Sequence, residues 1–340
     1  MRAMEISLMM PTHGLLLRDE NNAFLPAPDT NVDVVRVART AERLGYHSLW
    51  FSDHVLMTRS SDSGHPANWS GERAYPGRAY MLDALVCMGA VAAATERIRF
   101  APSVLISPYR HPLSDARQLA TADVLSNGRM IAGVGAGWMK EEFDALGLPY
   151  EGRGRMLEEC VEIYRRSWTQ EWVNFDGEFY RFNDVSMDPK PVQTEVPLVF
   201  GAASTAGARR AAKWGAGLYL LFLDPYPDPN RCAPLFDSLY RELEKNERSP
   251  EEFEFSVMVS ALPTDANDPM SKATKRRVLT GTPDQITADL TAFADAGYSR
   301  CVIHPEVRSG TFAEYVELVE RFGEEIIPLA EQIQVRAPAI

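Results

Sequence analysis

A (β/α)8 barrel is the fold that this sequence predicts, and three observations predict it. Eight short apolar runs recur along the chain, each followed by a helical pattern. Strands separated by helices pair in parallel, and eight such units close into a ring, with insertions at the C-terminal ends of the strands. The glycine-rich and polar signals cluster where the runs stop, near 52–54, 103–111, 133–138 and 201–207, the end of a barrel that carries active sites. An open doubly wound sheet is the competing arrangement. No composition break divides the chain, so residues 1–340 are expected to form one barrel domain.

The first strand is expected at about 5–10, with an irregular stretch rich in Gly, Pro and Asn up to 29. A helix from about 31 places Val34, Val35, Ala38, Ala41 and Leu44 at helical spacing and stops at Gly45. Strand two is 48–52. The polar segment 57–80 is long for an internal loop and has the character of a lid. Helix two covers about 82–95, and strand three covers 98–106. Pro112 suits the first turn of helix three, which stops near Asn127-Gly128. Strand four, about 130–134, runs into Gly133, Gly135 and Gly137 and then the acidic helix start Lys140-Glu141-Glu142. Another helix spans 154–170, and Asp176-Gly177 predicts a tight hairpin turn. Strand five is 197–201, with a helix from Ser204, and strand six is 218–222. Pro225, Pro227 and Pro229 exclude regular structure from the next connector. A helix at about 232–246 leads to strand seven, 253–260, and a second polar insertion fills 264–281. Thr282-Pro283-Asp284-Gln285 is a helix-start signature for a helix that ends at Gly297. Strand eight is 300–304, and the last helix covers 311–327.

The 340 residues are 45% hydrophobic and 24% charged, which is ordinary for a soluble globular protein. Lys and Arg number 35 against 47 Asp and Glu, and the net charge of −12 argues against nucleic acid or an anionic membrane as partner. No apolar run reaches the roughly 20 residues that span a bilayer. Residues 1–5 lead directly into a strand, so no signal peptide is expected. Cys87, Cys160, Cys232 and Cys301 are widely spaced and form no C-x-x-C, which points to a reduced, cytoplasmic chain. No H-x-x-x-H, cysteine cluster or G-x-S-x-G is present, so no metal site and no serine nucleophile is expected.

Four groups of residues are candidates for chemistry. Asp53 and His54 end strand two. Histidine titrates near working pH, so His54 is the default proton-transfer group, with Asp53 to orient it or to bond a ligand. Gly133-x-Gly135-x-Gly137 has the wrong spacing for a dinucleotide fingerprint, and a tight turn with no ligand explains it equally well. Gly201, Ala202, Ala203, Ser204 and Thr205 link strand five to a helix N-terminus, where exposed N–H groups suit a phosphate, although Ser204 also reads as an ordinary cap. Arg153 and Arg155 flank Gly154 at a helix start, where they either meet an anion or, as the simpler reading, form a solvated pair.

Several segments, in this order and spacing, resemble one family. They are Leu49-Trp50-Phe51-Ser52-Asp53-His54, the stretch 98–112, and Asn127-Gly128-Arg129 with the glycine turn to Leu146-Gly147. Asp188-Pro189-Lys190-Pro191-Val192-Gln193 then precedes strand five, and Gly281-Thr282-Pro283-Asp284-Gln285-Ile286 opens the last third. On these residues, over nearly its full length, the chain resembles the bacterial luciferase-like flavin and deazaflavin oxidoreductases. The resemblance implies a flavin-like ring in the barrel mouth, supported by a bulge with a non-proline cis peptide at Ser103-Val104. It implies cofactor contacts at Asp53, Ser103, Val104, Gly135, Ala136 and Gly137, with the phosphate on residues 201–205.

Asp53-His54-Val55 looks like the branch that uses coenzyme F420, whereas FMN-dependent branches often carry Glu-His-His there. The implied activity is hydride transfer between reduced F420 and a small apolar or aromatic substrate. Trp69, Tyr75, Tyr80 and Trp138 would wall the substrate pocket, although plain packing also accounts for each aromatic singly. The rivals are an FMN-dependent monooxygenase using O2 and a partner reductase, and a non-catalytic flavin-binding protein. Similar proteins are commonly dimers, so a homodimer is expected, together with a flavin or F420 reductase that supplies reduced cofactor. In the related glucose-6-phosphate dehydrogenases a catalytic Glu follows the Gly-x-Gly of strand four. Ala136 stands there in this chain, which disfavours that substrate and leaves His54 as the motif-supported acid–base group.

Overall fold

Each apolar run becomes a parallel strand of one ring in the computed structural model, which describes residues 2–18, 24–25, 29–65, 80–224 and 226–335. The strands are β1 (Glu5–Met9), β2 (Ser48–Phe51), β3 (Arg99–Pro102), β4 (Ala132–Gly135), β5 (Leu198–Gly201), β6 (Gly217–Phe222), β7 (Glu254–Pro263) and β8 (Arg300–Pro305). They pair in the spatial order β3-β2-β1-β8-β7-β6-β5-β4. Closure comes from a parallel bridge between Phe100 and Met130 and from Leu105–Ile106, which pairs with Val134 and Gly135 of β4. The chain is therefore a (β/α)8 barrel.

Helices fill every crossover. They are α1 (Val34–Arg43), α2 (Ala84–Ala94), α3 (Pro112–Ser126), α4 (Lys140–Leu146), α5 (Arg153–Thr169), α6 (Thr205–Trp214), α7 (Ala233–Lys245) and α8 (Pro283–Asp295), with α9 (Phe312–Glu325) and α10 (Ile327–Ala330) after β8. Local chemistry sets their ends. Asp33, Asp83, Ser204 and Thr311 each accept a backbone N–H as caps, and Thr282 with Gln285 forms the reciprocal capping box that the sequence announces. Asn127, at φ 56°, stops α3.

Strand alternation sends one residue of each strand region inward. Met9, Trp50, Ala101, Ile131, Val199, Tyr219, Met258 and Val302 form one contiguous interior layer. The large indole of Trp50 stacks on Tyr219 at 4.6 Å, with 2° between the rings. Gly133 makes that packing possible, because a Cβ there would strike the Pro102 carbonyl and crowd Trp50. The outward faces pack against the helices in a larger apolar layer.

The motifs behind the resemblance fasten this shell. Buried Arg129 donates to the carbonyls of Ala92, Thr95, Ile98 and Ser126, joining the ends of α2 and α3 to β3. Gln193 bonds Asp123 and the Met130 carbonyl, which seats the 188–193 segment against β4.

Three expectations are revised. Strand three is not continuous: it breaks after Pro102 at the cis Ser103–Val104 bond and resumes at Leu105. The hairpin strands are Val173–Asp176 and Arg181–Val185, joined by four residues rather than a two-residue Asp-Gly turn. Glu159 is the reason, since its carboxylate accepts the N–H groups of Glu178, Phe179 and Tyr180 and holds the wider loop open. β7 extends to Pro263 because Thr280–Gly281, at the end of the polar insertion, pairs with its tip.

Candidate active site

The strand C-terminal ends open into a cavity of about 640 Å3. Such a volume suits a cofactor-sized ligand, for which pockets typically run about 300–1,000 Å3. Asp53, His54, Ser103 and Val104 lie on one side of it, and Gly135, Ala136, Gly137 and Trp138 line the wall beyond β4. Gly201, Ala202, Ala203 and Ser204, at and beyond the end of β5, complete the lining. Sixteen positions between 53 and 205 were expected in the site, and twelve of them meet here. Thr205 does not: it is exposed at the first turn of α6, outside the lining. Tyr80 is also outside it; two residues on, Leu82 N–H bonds the Thr12 carbonyl just beyond β1. Trp69 and Tyr75 fall outside the described residues.

The floor of the cavity is a close fit of one side chain against two glycines. A Cβ on Gly135 would lie 2.5 Å from Val104 Cγ2, and one on Gly201 would lie 2.8 Å from the same atom. The alternating glycines therefore make room for the bulge that follows β3. Gly137, at φ +82°, then turns the chain toward α4. The Ser103 hydroxyl meets Tyr219 Oη at 2.8 Å, joining the bulge to the interior layer.

Asp53 is held differently from the sequence expectation. Its Oδ2 accepts the Ile106 N–H at 2.9 Å and Arg110 Nη1 at 2.9 Å, and its Oδ1 accepts Arg110 Nη2 at 2.6 Å. It anchors the 105–110 segment and does not orient His54. The imidazole is oriented by a residue that the sequence reading passed over. His54 Nδ1 lies 2.7 Å from Oε2 of Glu142, on the first turn of α4. Oε2 also accepts Tyr109 Oη at 2.7 Å, and Oε1 accepts the N–H groups of Val55 and Leu56 at 2.6 and 3.2 Å. Burial works against the charge on Glu142, but the bonds from His54, Tyr109 and Leu56 outweigh it and hold the carboxyl below its ordinary range. In the sequence, Glu141 and Glu142 are equivalent members of an acidic helix start, and nothing local separates them.

Two other rings flank this group. Burial, with His54 nearby, pushes His13 down to about 4 and His65 to about 3, so both are neutral at pH 7. Trp138 stands edge-on to His54 at 6.0 Å and to His65 at 4.7 Å.

Beyond β5 the cavity wall carries hydrogen-bond donors and two arginines. The start of α6 offers backbone N–H groups, and Ser204 caps Gly207 N–H at 3.2 Å. Arg210 and Arg153 both line the cavity. Arg210 also pairs with Glu158 at 2.8 Å, and Arg153 lies over the Tyr150 ring at 3.8 Å while bonding the Gly137 carbonyl. Arg155 turns away and pairs with Glu178 at the surface. The expected solvated pair is thus split, with one arginine on the cavity and one outside it. Among the described residues no cluster of three or more His, Cys, Asp or Glu is arranged to hold a metal ion. No helix of the described residues is long and apolar enough to cross a membrane.

Comparison with known proteins agrees with this geometry. The family model described as luciferase-like monooxygenase matches residues 4–271. The F420-dependent glucose-6-phosphate dehydrogenase of Amycolatopsis mediterranei is 28% identical over 333 residues, covering 87% of this chain and 93% of that protein. The FMNH2-dependent dimethylsulfone monooxygenase of Pseudomonas putida is 40% identical over 126 residues, 36% of this chain and 34% of that one. The crystal structure of the monooxygenase RslO1 from Streptomyces bottropensis superposes with a TM-score of 0.74 at 22% identity, covering 96% of this chain and 99% of that one. Relatives of this chain thus include both F420- and FMN-dependent enzymes. By fold, by cavity and by sequence, the chain belongs to the luciferase-like monooxygenase family.

Proposed function

We propose that this protein is an F420-dependent oxidoreductase that transfers a hydride between the reduced coenzyme and a small apolar or aromatic substrate. The observation that carries this reading is the polarity of the cavity. A histidine tied to a buried carboxylate and a helix N-terminus with two arginines share its wall. The residues present fit the cofactor. Backbone N–H groups at 203–206 with Arg153 and Arg210 suit its phosphate. The Val104 bulge, seated on Gly135 and Gly201, offers a flat apolar floor for a ring.

When bound, F420 would supply the hydride-carrying carbon from its own ring. The chain's part is to hold the substrate against that ring, exclude water and move one proton. His54 carries the proton. Trp138 and the neutral ring of His65 make the adjoining wall apolar, which favours an uncharged substrate. Ala136 offers no carboxylate where the glucose-6-phosphate dehydrogenases have an acid, which supports a different substrate class.

The FMN reading, a monooxygenase served by a partner reductase, draws on the 126-residue match to the dimethylsulfone enzyme. Titrating the apo-protein with F420 and with FMN, followed by absorbance and fluorescence, separates the two. Tighter binding of F420 is expected; binding of FMN alone would replace this reading with its rival. Turnover across a panel of enones tests the non-catalytic alternative.

A homodimer in the cytoplasm completes the proposal. Val86 near the start of α2 and Leu125 near the end of α3, at 73% and 59% exposure, are separate apolar side chains on the outer surface that a second copy would cover. Light scattering that returns a monomer would remove this part.

A further inference from the structure

The proton-transfer role of His54 leaves open which ring nitrogen acts and what selects it. We infer that Glu142 is the positioning residue: it holds His54 in the tautomer protonated on Nδ1, so that a bound substrate meets Nε2. The inference rests on the proposed role of His54 and adds to it a residue 88 positions away in the chain.

The geometry leaves the carboxylate little freedom. Glu142 is completely buried, and it makes four hydrogen bonds, two on each oxygen. An ionised carboxylate only accepts. The hydrogens therefore sit on Nδ1 of His54 and on the Tyr109 hydroxyl. A neutral imidazole with its hydrogen on Nδ1 presents a lone pair at Nε2, ready to take a proton, and once protonated it can return one. The same carboxylate binds the N–H groups of Val55 and Leu56, the two residues that follow His54. Ring orientation and the course of the chain leaving β2 are thus set by one side chain. Tyr109 extends the arrangement to the segment that Asp53 and Arg110 anchor.

The test uses the full-length protein labelled with 15N-histidine, in which His54 is one of six histidines and is identified by the signal lost in His54→Gln. At a pH chosen so that the His54 ring is neutral, its signals should show a protonated Nδ1 and an unprotonated Nε2. Protonation on Nε2 in the unmutated protein would overturn the inference, and this arm needs neither substrate nor a Glu142 variant. In Glu142→Gln the amide can donate as well as accept, so the His54 pattern should become mixed or reversed. Turnover of enones with reduced F420 should fall about 10²–10⁴-fold, the usual worth of positioned acid–base catalysis, while F420 affinity should stay within about threefold. A Glu142→Gln protein with the parental His54 spectrum and turnover would also overturn the inference. Full turnover by His54→Gln, with the expected tautomer present, would instead overturn the proton-transfer role, so the two failures are distinguishable.

Discussion

Replacing Asp53 by alanine separates an anchor from a ligand contact. The carboxylate is 1% exposed and its partner Arg110 18%, so the pair is well shielded from water. Three hydrogen bonds are lost, and the guanidinium remains in place. Removing one member of a buried ion pair costs about 3–5 kcal/mol, because the other charge is stranded. Asp83 lies 3.9 Å from Arg110 and softens that loss, which places the expectation near the lower figure. Unfolding entropy is about 2.1 cal/mol/K per residue. For 340 residues that amounts to about 0.7 kcal/mol/K, so a 3 kcal/mol loss lowers Tm by about 4 °C. Differential scanning calorimetry measures this directly. Adding Arg110→Leu should recover much of the loss, since no buried cation is then left unpaired. A Tm within about 1 °C of the parent, together with abolished F420 binding, would refute the anchoring argument and make Asp53 a cofactor contact.

Other outcomes follow from neighbouring residues. His54→Ala should reduce turnover about 10²–10⁴-fold with little change in cofactor affinity; full turnover in steady-state assays would exclude the proton-transfer role. Gly135→Ala drives a methyl group into Val104, and overpacking of this kind costs about 1–3 kcal/mol; unchanged chemical denaturation and unchanged F420 titration would show that the bulge is not held by this contact. Burial raises Asp115 to about 7 against the pull of Arg110. The folded chain therefore keeps a proton that the unfolded chain releases near pH 4. Stability present below that value is lost as pH climbs toward about 7. Asp115→Asn should flatten the dependence of Tm on pH across this window, and an unchanged slope would refute it.

The sequence alone determined the order of the eight strand–helix units, the caps at Ser204 and Thr282 and the placing of His54 and Ser204 at strand ends. Those features are local: periodicity, capping and turn chemistry act over a few residues, and Thr282 with Gln285 behaves in the fold as it reads in the chain. Pairings between distant polar groups were not legible. Glu142 looks like any acid at a helix start, and only barrel closure brings it to His54. Asp53 reads as a histidine partner or a ligand contact, and its bonds to Arg110, 57 residues on, are invisible in the sequence. Arg153 and Arg155 are equivalent in sequence, but the rotation of about 100° per helical residue sends one to the cavity and the other to Glu178. The glycines of β4 read equally as a tight turn or a ligand approach, and only the fold reveals that Gly133 and Gly135 also make room for Trp50 and Val104. Which residues can serve a proton or a phosphate is written locally, but which of them meet is decided by the closure of the ring.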